Sequence, residues 1–546
     1  MMTATTANPA TGTMTLGGSA TADIGLKLSP KGHIKGTVYL DNNKNAQMDG
    51  GESGIANCWV GVTTDGGVTV VGYALTNASG AYDITVPAND PPRTTPYTVY
   101  VVPPANTYPT STTAIANLYV ANNANLTSNN FGMANYTVIT LNASRVLSLA
   151  AADLVENDAG KKGSLHQDVD LVLGADAAGT DNITVWFNQY NSSPVFNSTA
   201  DYTRLAPQSV LAMAVDTLDM SSPIGRPDLV TGTKYTTSGN FFVWFNQNTS
   251  GNEGYFPTTY STGQAYKTAD NGDVQTVRTL DVLGGSMPDI IVGTKSATAN
   301  QGSIEIWTNS NAATPTFSRA ETYTTVGAAN TIIGEVNQLI LADLDGDGLQ
   351  DLVAVTRTGT YSGQLIVFRN LGKSASGNHF QYKRMITYNS ATPTAVAATD
   401  VDGDGRIDLL VGTQTSTSSG TLMHVKNLGS WFFLTVKTQN APGIVMSMAA
   451  ADMGGGSSRA DLIVGYRTST ATYAGGVAIY YLDVSGLPDS GVDPSGGSIT
   501  SMVPAMATAN FNYGVYPTGA PTPYLTDLAV GVKQSASTGS LVIFIR

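Results

Sequence analysis

The C-terminal two thirds of the chain repeats one pattern of apolar and polar positions. A short apolar run ends in Asp or Asn, a turn follows, a second run has the general form Asp-Leu-Val-x-Gly, and a third run is rich in aromatic residues. Short apolar runs between turn residues predict β-strands. Seven copies follow one another at a spacing near 60 residues. The first runs end at Asp153, Asp216, Asp281, Asp343, Asp400, Asp452 and Asn510, and the second runs begin at Asp170, Asp228, Asp289, Asp351, Asp408, Asp461 and Asp527.

These repeats predict a radial arrangement of small sheets. Three strands and a more variable fourth make one blade of a β-propeller. The fourth strand is visible at residues 317–326 and 380–388, whereas the seventh copy lacks one. Residues 136–141 precede the first repeat as the other fourth strands precede theirs. We therefore predict a seven-bladed β-propeller over residues 135–546, closed by strand 136–141, which removes open sheet edges.

The N-terminal part of the chain has a different pattern. Residues 31–133 alternate apolar and polar positions without the long repeat, which predicts a small antiparallel, immunoglobulin-like β-sandwich. Residues 1–30 are rich in Thr, Ala and Gly. Two stretches in them, 13–18 and 23–29, alternate enough to act as added strands on the sandwich or on a neighbouring subunit. The fold class predicted for the whole chain is all-β.

Composition narrows the classes of partner. Lys and Arg total 27 against 40 Asp and Glu, a formal net charge of −13, and no basic cluster is present. Nucleic acid is therefore not an expected partner. No run of ~18 apolar residues occurs, so we expect no direct membrane insertion. The first residues lack the charged and apolar regions of a secretion signal, and an extracellular or cell-surface location would need one outside this chain. The single cysteine, Cys58, lies in an apolar stretch and is expected to be a buried thiol.

Two acidic loops are the clearest candidate metal-binding sites in the sequence. They read DLDGDGLQD from Asp343 to Asp351 and DVDGDGRID from Asp400 to Asp408. Carboxylates at positions 1, 3, 5 and 9 of a glycine-bent turn converge and repel each other unless a hard cation neutralises them. Calcium (Ca2+) is the cation that fits this oxygen-rich pattern. A metal-free Asp-Gly turn is the alternative, and it explains one or two acids more readily than four.

The loop between two strands resembles the FG-GAP or VCBS repeat of integrin alpha-subunit propellers and of many bacterial surface proteins, over roughly residues 135–546. In that family the loop joins the first two strands of a blade and binds calcium. The other repeats depart from the pattern: Asp216, Asp219 and Asp228 keep part of it, and the first repeat has an insertion around Glu156 and Asp158. The resemblance implies these calcium ligands: Asp343, Asp345, Asp347 and Asp351 with the Leu349 carbonyl, and Asp400, Asp402, Asp404 and Asp408 with the Arg406 carbonyl.

A second kind of candidate calcium loop follows the first strand of the sandwich. The stretch DNNKNAQMDGGE places oxygen-bearing side chains at the ligand positions of an EF-hand loop, although Ala46 stands where glycine is usual and the flanks look like strands. The stretch resembles the B-repeat domain of staphylococcal Sdr-type surface proteins, which are calcium-stiffened spacers. A metal-free hairpin loop is the alternative. The ligands implied are Asp41, Asn43, Asn45, Asp49 and Glu52, with Gln47 contributing through its carbonyl.

Three function classes remain open at this point. The first is a non-catalytic extracellular calcium-binding surface protein, an adhesin or interaction scaffold that binds a glycan or a surface protein. The second is a self-assembling subunit of an extracellular filament, sheath or surface layer, linked to copies of itself through residues 1–30. The third is a polysaccharide-active enzyme, but no catalytic constellation stands out, and we expect no enzymatic activity. The four histidines, His33, His166, His379 and His424, are scattered and expected to be structural.

Overall fold

The computed structural model contains β-strands and no helices among the residues it describes, so the prediction of an all-β fold is confirmed. The chain divides into two compact units, with the boundary between Asn135 and Tyr136. No helix in the described ranges is long and apolar enough to cross a membrane. The structure describes residues 2–4, 26–28, 30–64, 70–88, 95–104, 107–143, 145–154, 169–176, 181–188, 196–219, 226–247, 255–260, 263–327, 331–373, 377–453, 460–482, 487–495, 497–509, 526–535 and 538–545.

The first unit contains two facing sheets and a short separate pair of strands. One sheet has the order β10-β3-β11-β8, with β6 also paired to β3, and the other has the order β5-β4-β7-β9. The inward side chains of both sheets, Val60 and Val99 among them, form one buried core. The strands are β1 (Met2–Ala4), β2 (Leu26–Leu28), β3 (Lys31–Leu40), β4 (Trp59–Thr63), β5 (Val70–Leu75), β6 (Ala81–Pro87), β7 (Tyr97–Val101), β8 (Thr107–Pro109), β9 (Ala114–Leu118), β10 (Asn125–Leu126) and β11 (Phe131–Asn135).

One detail of this unit differs from the sequence analysis, and another stays a prediction. The expectation of a purely antiparallel sandwich was wrong, because β10 and β11 both pair with β3 in parallel. The chain crosses from β9 in one sheet to β10 in the other, and such a crossover allows parallel pairing. In the N-terminal segment β2 pairs with β1. Residues 13–18 lie outside the described ranges, so strand addition by this segment stays a prediction.

Among the residues that the structure describes, the second unit contains seven small antiparallel sheets of three or four strands and one two-stranded pair, β25-β26. Six follow chain order, β13 to β16, β17 to β20, β21 to β24, β27 to β30, β31 to β34 and β35 to β37, and the seventh has the order β12-β40-β39-β38. The strands are β12 (Thr137–Ala143), β13 (Val146–Ala152), β14 (Asp170–Ala175), β15 (Ile183–Trp186), β16 (Tyr202–Arg204), β17 (Val210–Asp216), β18 (Asp228–Thr236), β19 (Gly239–Trp244), β20 (Ala265–Tyr266), β21 (Asp273–Leu280), β22 (Asp289–Lys295), β23 (Ile304–Asn309), β24 (Phe317–Tyr323), β25 (Thr325–Val326), β26 (Thr331–Ile332), β27 (Glu335–Ala342), β28 (Asp351–Gly359), β29 (Ser362–Asn370), β30 (Phe380–Tyr388), β31 (Thr392–Thr399), β32 (Asp408–Gln414), β33 (Thr421–Asn427), β34 (Phe433–Asn440), β35 (Ile444–Ala451), β36 (Asp461–Arg467), β37 (Gly475–Tyr480), β38 (Met502–Ala509), β39 (Asp527–Lys533) and β40 (Gly539–Ile545).

The first strands of successive sheets lie against one another. Contacts join β13 to β17, β17 to β21, β21 to β27, β27 to β31, β31 to β35, β35 to β38, and β38 to β13. Strand β12 pairs antiparallel with β40 along its whole length, from Thr137 opposite Ile545 to Ala143 opposite Gly539. The seventh sheet therefore combines strands from both ends of this unit.

The glycine in the second strand of most repeats marks the approach of the next sheet. A Cβ atom placed on Gly232 would lie 2.5 Å from a Val274 methyl group, and one placed on Gly531 would lie 2.2 Å from a Val146 methyl group. Both distances are shorter than a van der Waals contact, so a larger side chain would push the sheets apart. This packing explains why the fifth position of the Asp-Leu-Val-x-Gly motif is glycine and not a large apolar residue.

A buried aspartate at the start of the second strand holds each sheet together. In the third sheet, Asp289 accepts backbone hydrogen bonds from Val282 and Leu283 in the preceding loop, at 2.9 and 2.8 Å, and from Asn309 at the end of the third strand, at 2.9 Å. Asp461 accepts equivalent bonds from Met453 and Leu482, both at 2.8 Å. The side chain thus ties the first loop to the third strand. The equivalents Asp170, Asp228, Asp351, Asp408 and Asp527 are also buried.

An asparagine at the end of the third strand extends this link to the neighbouring sheet. The Asn309 amide donates to the Leu218 carbonyl, in the loop of the preceding sheet, at 2.8 Å. The Asn427 amide donates likewise to the Leu344 carbonyl at 2.8 Å. These bonds satisfy buried backbone carbonyls that strand pairing leaves over.

We predict that Asp289→Ala lowers the free energy of unfolding by about 3–5 kcal/mol, because three buried N–H donors lose a charged acceptor. Asp289→Asn should cost less, since it keeps the shape and one acceptor oxygen. Thermal and urea unfolding followed by circular dichroism would measure both. The control is Asp489→Ala, whose side chain is 71% exposed and should change stability by no more than about 0.5 kcal/mol. Equal stability of Asp289→Ala and the control would contradict the structural role of this aspartate.

Candidate metal sites

The two acidic loops join the first and second strands of the fourth and fifth sheets. Residues 343–350 connect β27 to β28, and residues 400–407 connect β31 to β32. Both loops turn through left-handed glycines at their fourth and sixth positions, Gly346 and Gly348 with φ of 77° and 85°, and Gly403 and Gly405 with φ of 75° and 83°. Glycine adopts this conformation without the steric cost that a Cβ imposes.

Backbone hydrogen bonds to the acids give both loops the same conformation. In the first loop Asp343 accepts from Gly346 and Gly348, both at 2.8 Å. In the second loop Asp400 accepts from Gly403 at 2.6 Å and from Gly405 at 2.9 Å. The acid at the first position therefore organises the turn whether or not an ion is bound.

Three carboxylates meet in each loop. Each side chain offers one oxygen, and these oxygens all lie within 4.8 Å of one another, in the groups Asp343, Asp345, Asp351 and Asp400, Asp402, Asp408. Carboxylate oxygens at this spacing suit a hard divalent cation such as Ca2+. One Asp402 oxygen is buried without a hydrogen-bond partner, which fits a position that expects a cation. These clusters could hold a metal ion.

The fifth-position acids lie outside these groups and pair with basic side chains. Arg369 contacts Asp345 and Asp347, each at 2.9 Å. In the second loop Lys426 contacts Asp402 and lies 3.0 Å from Asp404. Asp404 also pairs with Arg406 at 2.5 Å. A basic side chain from the third strand thus already neutralises part of the negative charge of each acidic loop.

Sequence reasoning did not assign a role to Arg369 and Lys426, although the sequence carries a signal for both. Each directly precedes the asparagine that ends a third strand, in the stretches VFRN and HVKN. The first three repeats have Phe187, Phe245 and Thr308 at this position. A basic residue therefore stands here in the two repeats that carry four acids in the loop.

Burial and neighbouring charges perturb the acids in opposite directions. Burial raises the pKa of Asp351 to about 6, with the charges of Asp345 and Asp347 adding to the increase. The hydrogen bond from Arg369 lowers the pKa of Asp347. Burial acts to raise the pKa of Asp404, but the hydrogen bond and charge of Lys426 outweigh it and the pKa is lowered. Burial also raises the pKa of Asp345 although Arg369 lies beside it, so desolvation disfavours the charged form of these clustered acids.

The loop of the first unit has the conformation of the acidic loops. Lys44 and Ala46, at its fourth and sixth positions, have φ of 58° and 61°. Asp41 is buried and accepts from the Ala46 N–H at 2.8 Å, as Asp343 and Asp400 accept from their sixth residues. The Asn45 side-chain oxygen accepts from the Gln47 N–H at 2.8 Å. The same turn is therefore built here with two non-glycine residues in a conformation that disfavours them.

The donor set of this loop is different. Both Asn43 and Asn45 donate their amide groups to Asp49, at 2.8 and 2.7 Å, and these bonds lower its pKa. The Glu52 carboxylate accepts from the backbone of Asn42 and Asp49 at 2.9 and 3.0 Å. Within the described residues, its acids are not among the groups of three whose oxygens meet within 4.8 Å. The side chains close the loop through their own hydrogen bonds.

The degenerate repeats do not bring three acids together in the part of the chain that the structure describes. Asp281 pairs with Lys373, and Asp216 accepts from the Thr217 N–H at 2.8 Å. Burial raises the pKa of Asp228 to about 8, with the Asp219 charge contributing. Glu156, Asp158 and Asn510 lie outside the described residues.

Comparison with known proteins supports the repeat assignment. A model of the FG-GAP-like repeat matches residues 343–411, a span that contains both acidic loops. The sequence matches no curated protein. The chain is also similar to the crystal structure of Sqt1 from Saccharomyces cerevisiae, at 10% sequence identity, over 75% of this chain and 97% of that chain, with a TM-score of 0.39. The FG-GAP-like repeat fits a β-propeller protein of the surface or adhesion type.

We predict that Arg369→Met and Lys426→Met each tighten calcium binding at the adjacent loop by about threefold to tenfold, since a competing positive charge is removed. The same variants should melt at a lower temperature without calcium, because the acids lose their neutralising partner. Calorimetric titration and thermal melts would test this. Lys373→Met, beside Asp281 rather than a three-acid group, serves as the control. Weaker calcium binding in both variants would show that these side chains assist the ion instead.

The raised pKa of Asp351, about 6, predicts a pH-dependent site. Protons and calcium compete for this carboxylate, so calcium affinity at residues 343–351 should fall as pH drops below about 6, by up to about tenfold per pH unit. In the ion-free protein the raised pKa contributes stability at low pH that is lost as pH rises through about 6. Titrations of Asp402→Asn from pH 5 to 8 would isolate this site. An affinity independent of pH would contradict the assignment of Asp351 as a ligand.

Proposed function

We propose that this chain is a non-catalytic, calcium-binding extracellular surface protein that acts as an adhesin or interaction scaffold for a glycan or a surface protein. The observation that carries the proposal is the meeting of three carboxylates in each of two loops, inside the FG-GAP-like match. The full proposal includes a seven-bladed β-propeller and a calcium loop in the preceding Sdr B-like sandwich.

The packing of the second unit supports the propeller. Its seven sheets have their first strands in contact in chain order, and β38 of the last sheet contacts β13 of the first. Seven blades around one axis produce this series of contacts. The pairing of β12 with β40 supplies the last sheet with a strand from the start of the unit. This arrangement ties both ends of the unit into one sheet.

Calcium would act as a structural ion. Bound to Asp343, Asp345 and Asp351, or to Asp400, Asp402 and Asp408, it would neutralise acids that otherwise repel each other. A ligand at a hundredfold excess over its Kd stabilises the folded state by about 2.7 kcal/mol per site. Weak sites of this kind suit the millimolar calcium found outside cells.

The turn shared by the three loops supports a calcium role for the sandwich as well. Left-handed conformations at Lys44 and Ala46 repeat those of the paired glycines in the acidic loops. Strain of this kind persists where the surrounding structure or a ligand demands it. Calcium here would replace the amide bonds from Asn43 and Asn45 to Asp49, and would draw on Asp41 and Glu52.

Each of the described histidines is paired with an acidic side chain. His379 lies 2.5 Å from Glu321, and His424 lies 2.9 Å from Asp408, both buried between strands. His33 lies 2.6 Å from Asp83 on the first unit. Each pair is separate from the others, and no nucleophile completes a triad with them in the described contacts.

We predict at least two calcium-binding events in calorimetric titration of the chelator-treated chain, together with a rise in melting temperature. Asp345→Asn and Asp402→Asn should each remove one event, through a loss of affinity on the order of tenfold or more. Loss of a third event in Glu52→Gln would assign calcium to the sandwich loop.

The matched control is Asp489→Asn, an exposed acid paired with Lys437 outside the three loops, which should leave all events in place. The proposal would be defeated if the unaltered chain showed no heat of calcium binding and no shift in melting temperature. Two events persisting in the double variant Asp345→Asn/Asp402→Asn would place calcium elsewhere.

A further inference from the structure

An aromatic surface lies on the outer face of the sheet β5-β4-β7-β9 in the first unit. Strand pairing places Gly61 opposite Tyr73 on one side and opposite Tyr100 on the other, so these residues share a face. Their neighbours Val60 and Val62 point the other way, into the core. Trp59 lies on the same outer face as Tyr73, two residues along β4 from Gly61.

Gly61 has no side chain, and this leaves room for the Trp59 ring to lie over the strand. A Cβ atom on Gly61 would lie 2.4 Å from the outer edge of the Trp59 ring and 2.9 Å from the Tyr100 ring. The indole therefore lies along β4, over the space that the missing side chain leaves. Its ring centroid is 6.2 Å from that of Tyr73, with the planes 17° apart, and 5.3 Å from that of Tyr100. We call Trp59, Tyr73 and Tyr100 the aromatic platform.

Within the aromatic platform Tyr73 is exposed and Trp59 and Tyr100 are half-buried, and none of the three carries a formal charge. Tyr73 is 67% exposed and the adjoining Leu75 is 58% exposed, values that a core side chain never shows. The four strands β4, β5, β7 and β9, as the structure bounds them, contain no Asp, Glu, Lys, Arg or His. These strands offer no charged side chain that could pair with a charged partner, so a neutral ligand fits them best.

A cleft with both polar and apolar walls adjoins the aromatic platform. It has a volume of about 580 Å3 and is lined by Leu75, which pairs with Trp59 across the strands, and by the side chains of Asn77, Ser128 and Asn130. The Lys35–Asp83 ion pair, 2.9 Å apart, forms part of its wall. Amide and hydroxyl groups beside exposed rings provide hydrogen bonding at the edge of a stacking surface.

From these observations we infer that the aromatic platform binds a neutral saccharide, with pyranose rings stacked on Trp59 and Tyr73 and hydroxyl groups directed to the cleft. The C–H bonds on one face of a pyranose carry partial positive charge and match the negative face of an aromatic ring. The ring hydroxyls are neutral donors and acceptors, as the charge-free strands require. This inference deepens the proposed function by naming a ligand class and a site, and it does not involve the calcium loops.

The test is affinity electrophoresis of the full chain in gels that contain neutral soluble β-glucan or xylan, with pull-down on insoluble cellulose and chitin. We expect at least one of these polysaccharides to retard or retain the chain. Tyr73→Ala should weaken that binding by about fivefold to tenfold, and Trp59→Ala by more. Gly61→Val keeps Trp59 but fills the space in which its ring lies, and should weaken binding as well.

The control is Tyr119→Ala, a tyrosine of the same unit that is 57% exposed and lies outside the aromatic platform. Binding should be unchanged in this variant, and a melt would show that Tyr73→Ala is folded. Binding to none of the neutral polysaccharides, or equal binding by Tyr73→Ala and the unaltered chain, would overturn the inference. Dimers in light scattering that Tyr73→Ala dissociates would overturn it too, by showing that the face joins two copies. Calcium titration of the same samples tests the proposed function separately.

Discussion

The second unit depends on the buried aspartate at the start of each second strand. Its carboxylate accepts N–H groups from the preceding loop and from the end of the third strand, as at Asp289 and Asp461. A charged acceptor buried among backbone donors is strongly favoured when all partners are present and costly when one is lost. The amide of Asn309 or Asn427 then carries the connection to the neighbouring sheet. These bonds join neighbouring sheets, so the sheets support one another.

The acidic loops are an elaboration of this structural bond. Asp351 and Asp408 bind the backbone as their equivalents do, and also belong to the groups of three acids. Acids at position 3, added to the aspartate that most repeats carry at position 1, complete groups of three carboxylates that could hold a metal ion. Burial raises the pKa of Asp351, and the charges of Asp345 and Asp347 add to the increase. Arg369 and Lys426, each on the third strand of its sheet, partly neutralise these acids. A bound metal ion would therefore compete with these side chains for the carboxylates.

Much of this arrangement was predictable, because it follows from local periodicity. Strands of alternating or continuous apolar residues, the Asp-Leu-Val-x-Gly motif and the glycines of the acidic loops all depend on near neighbours in the chain. The parallel pairing of β10 and β11 with β3 was not predictable, since short strands carry no local sign of direction. The basic residues beside Asp347 and Asp402 were also missed, because 22 and 24 residues separate the two partners along the chain. The acid groups have three members, and Asp347 and Asp404 pair with Arg369 and Lys426 instead.

By itself, the sequence determined that this protein is built of β-strands, where its repeats begin, and which turns concentrate oxygen ligands. Each of these properties is set within a few residues by side-chain alternation and backbone conformation. The tertiary structure alone decided that one aspartate serves both the backbone and the acidic group, and that Arg369 and Lys426 reach the loops. It also decided that Trp59 rests over Gly61 between Tyr73 and Tyr100. Those outcomes depend on strand register, which brings distant residues together in a way that near neighbours in the chain do not determine.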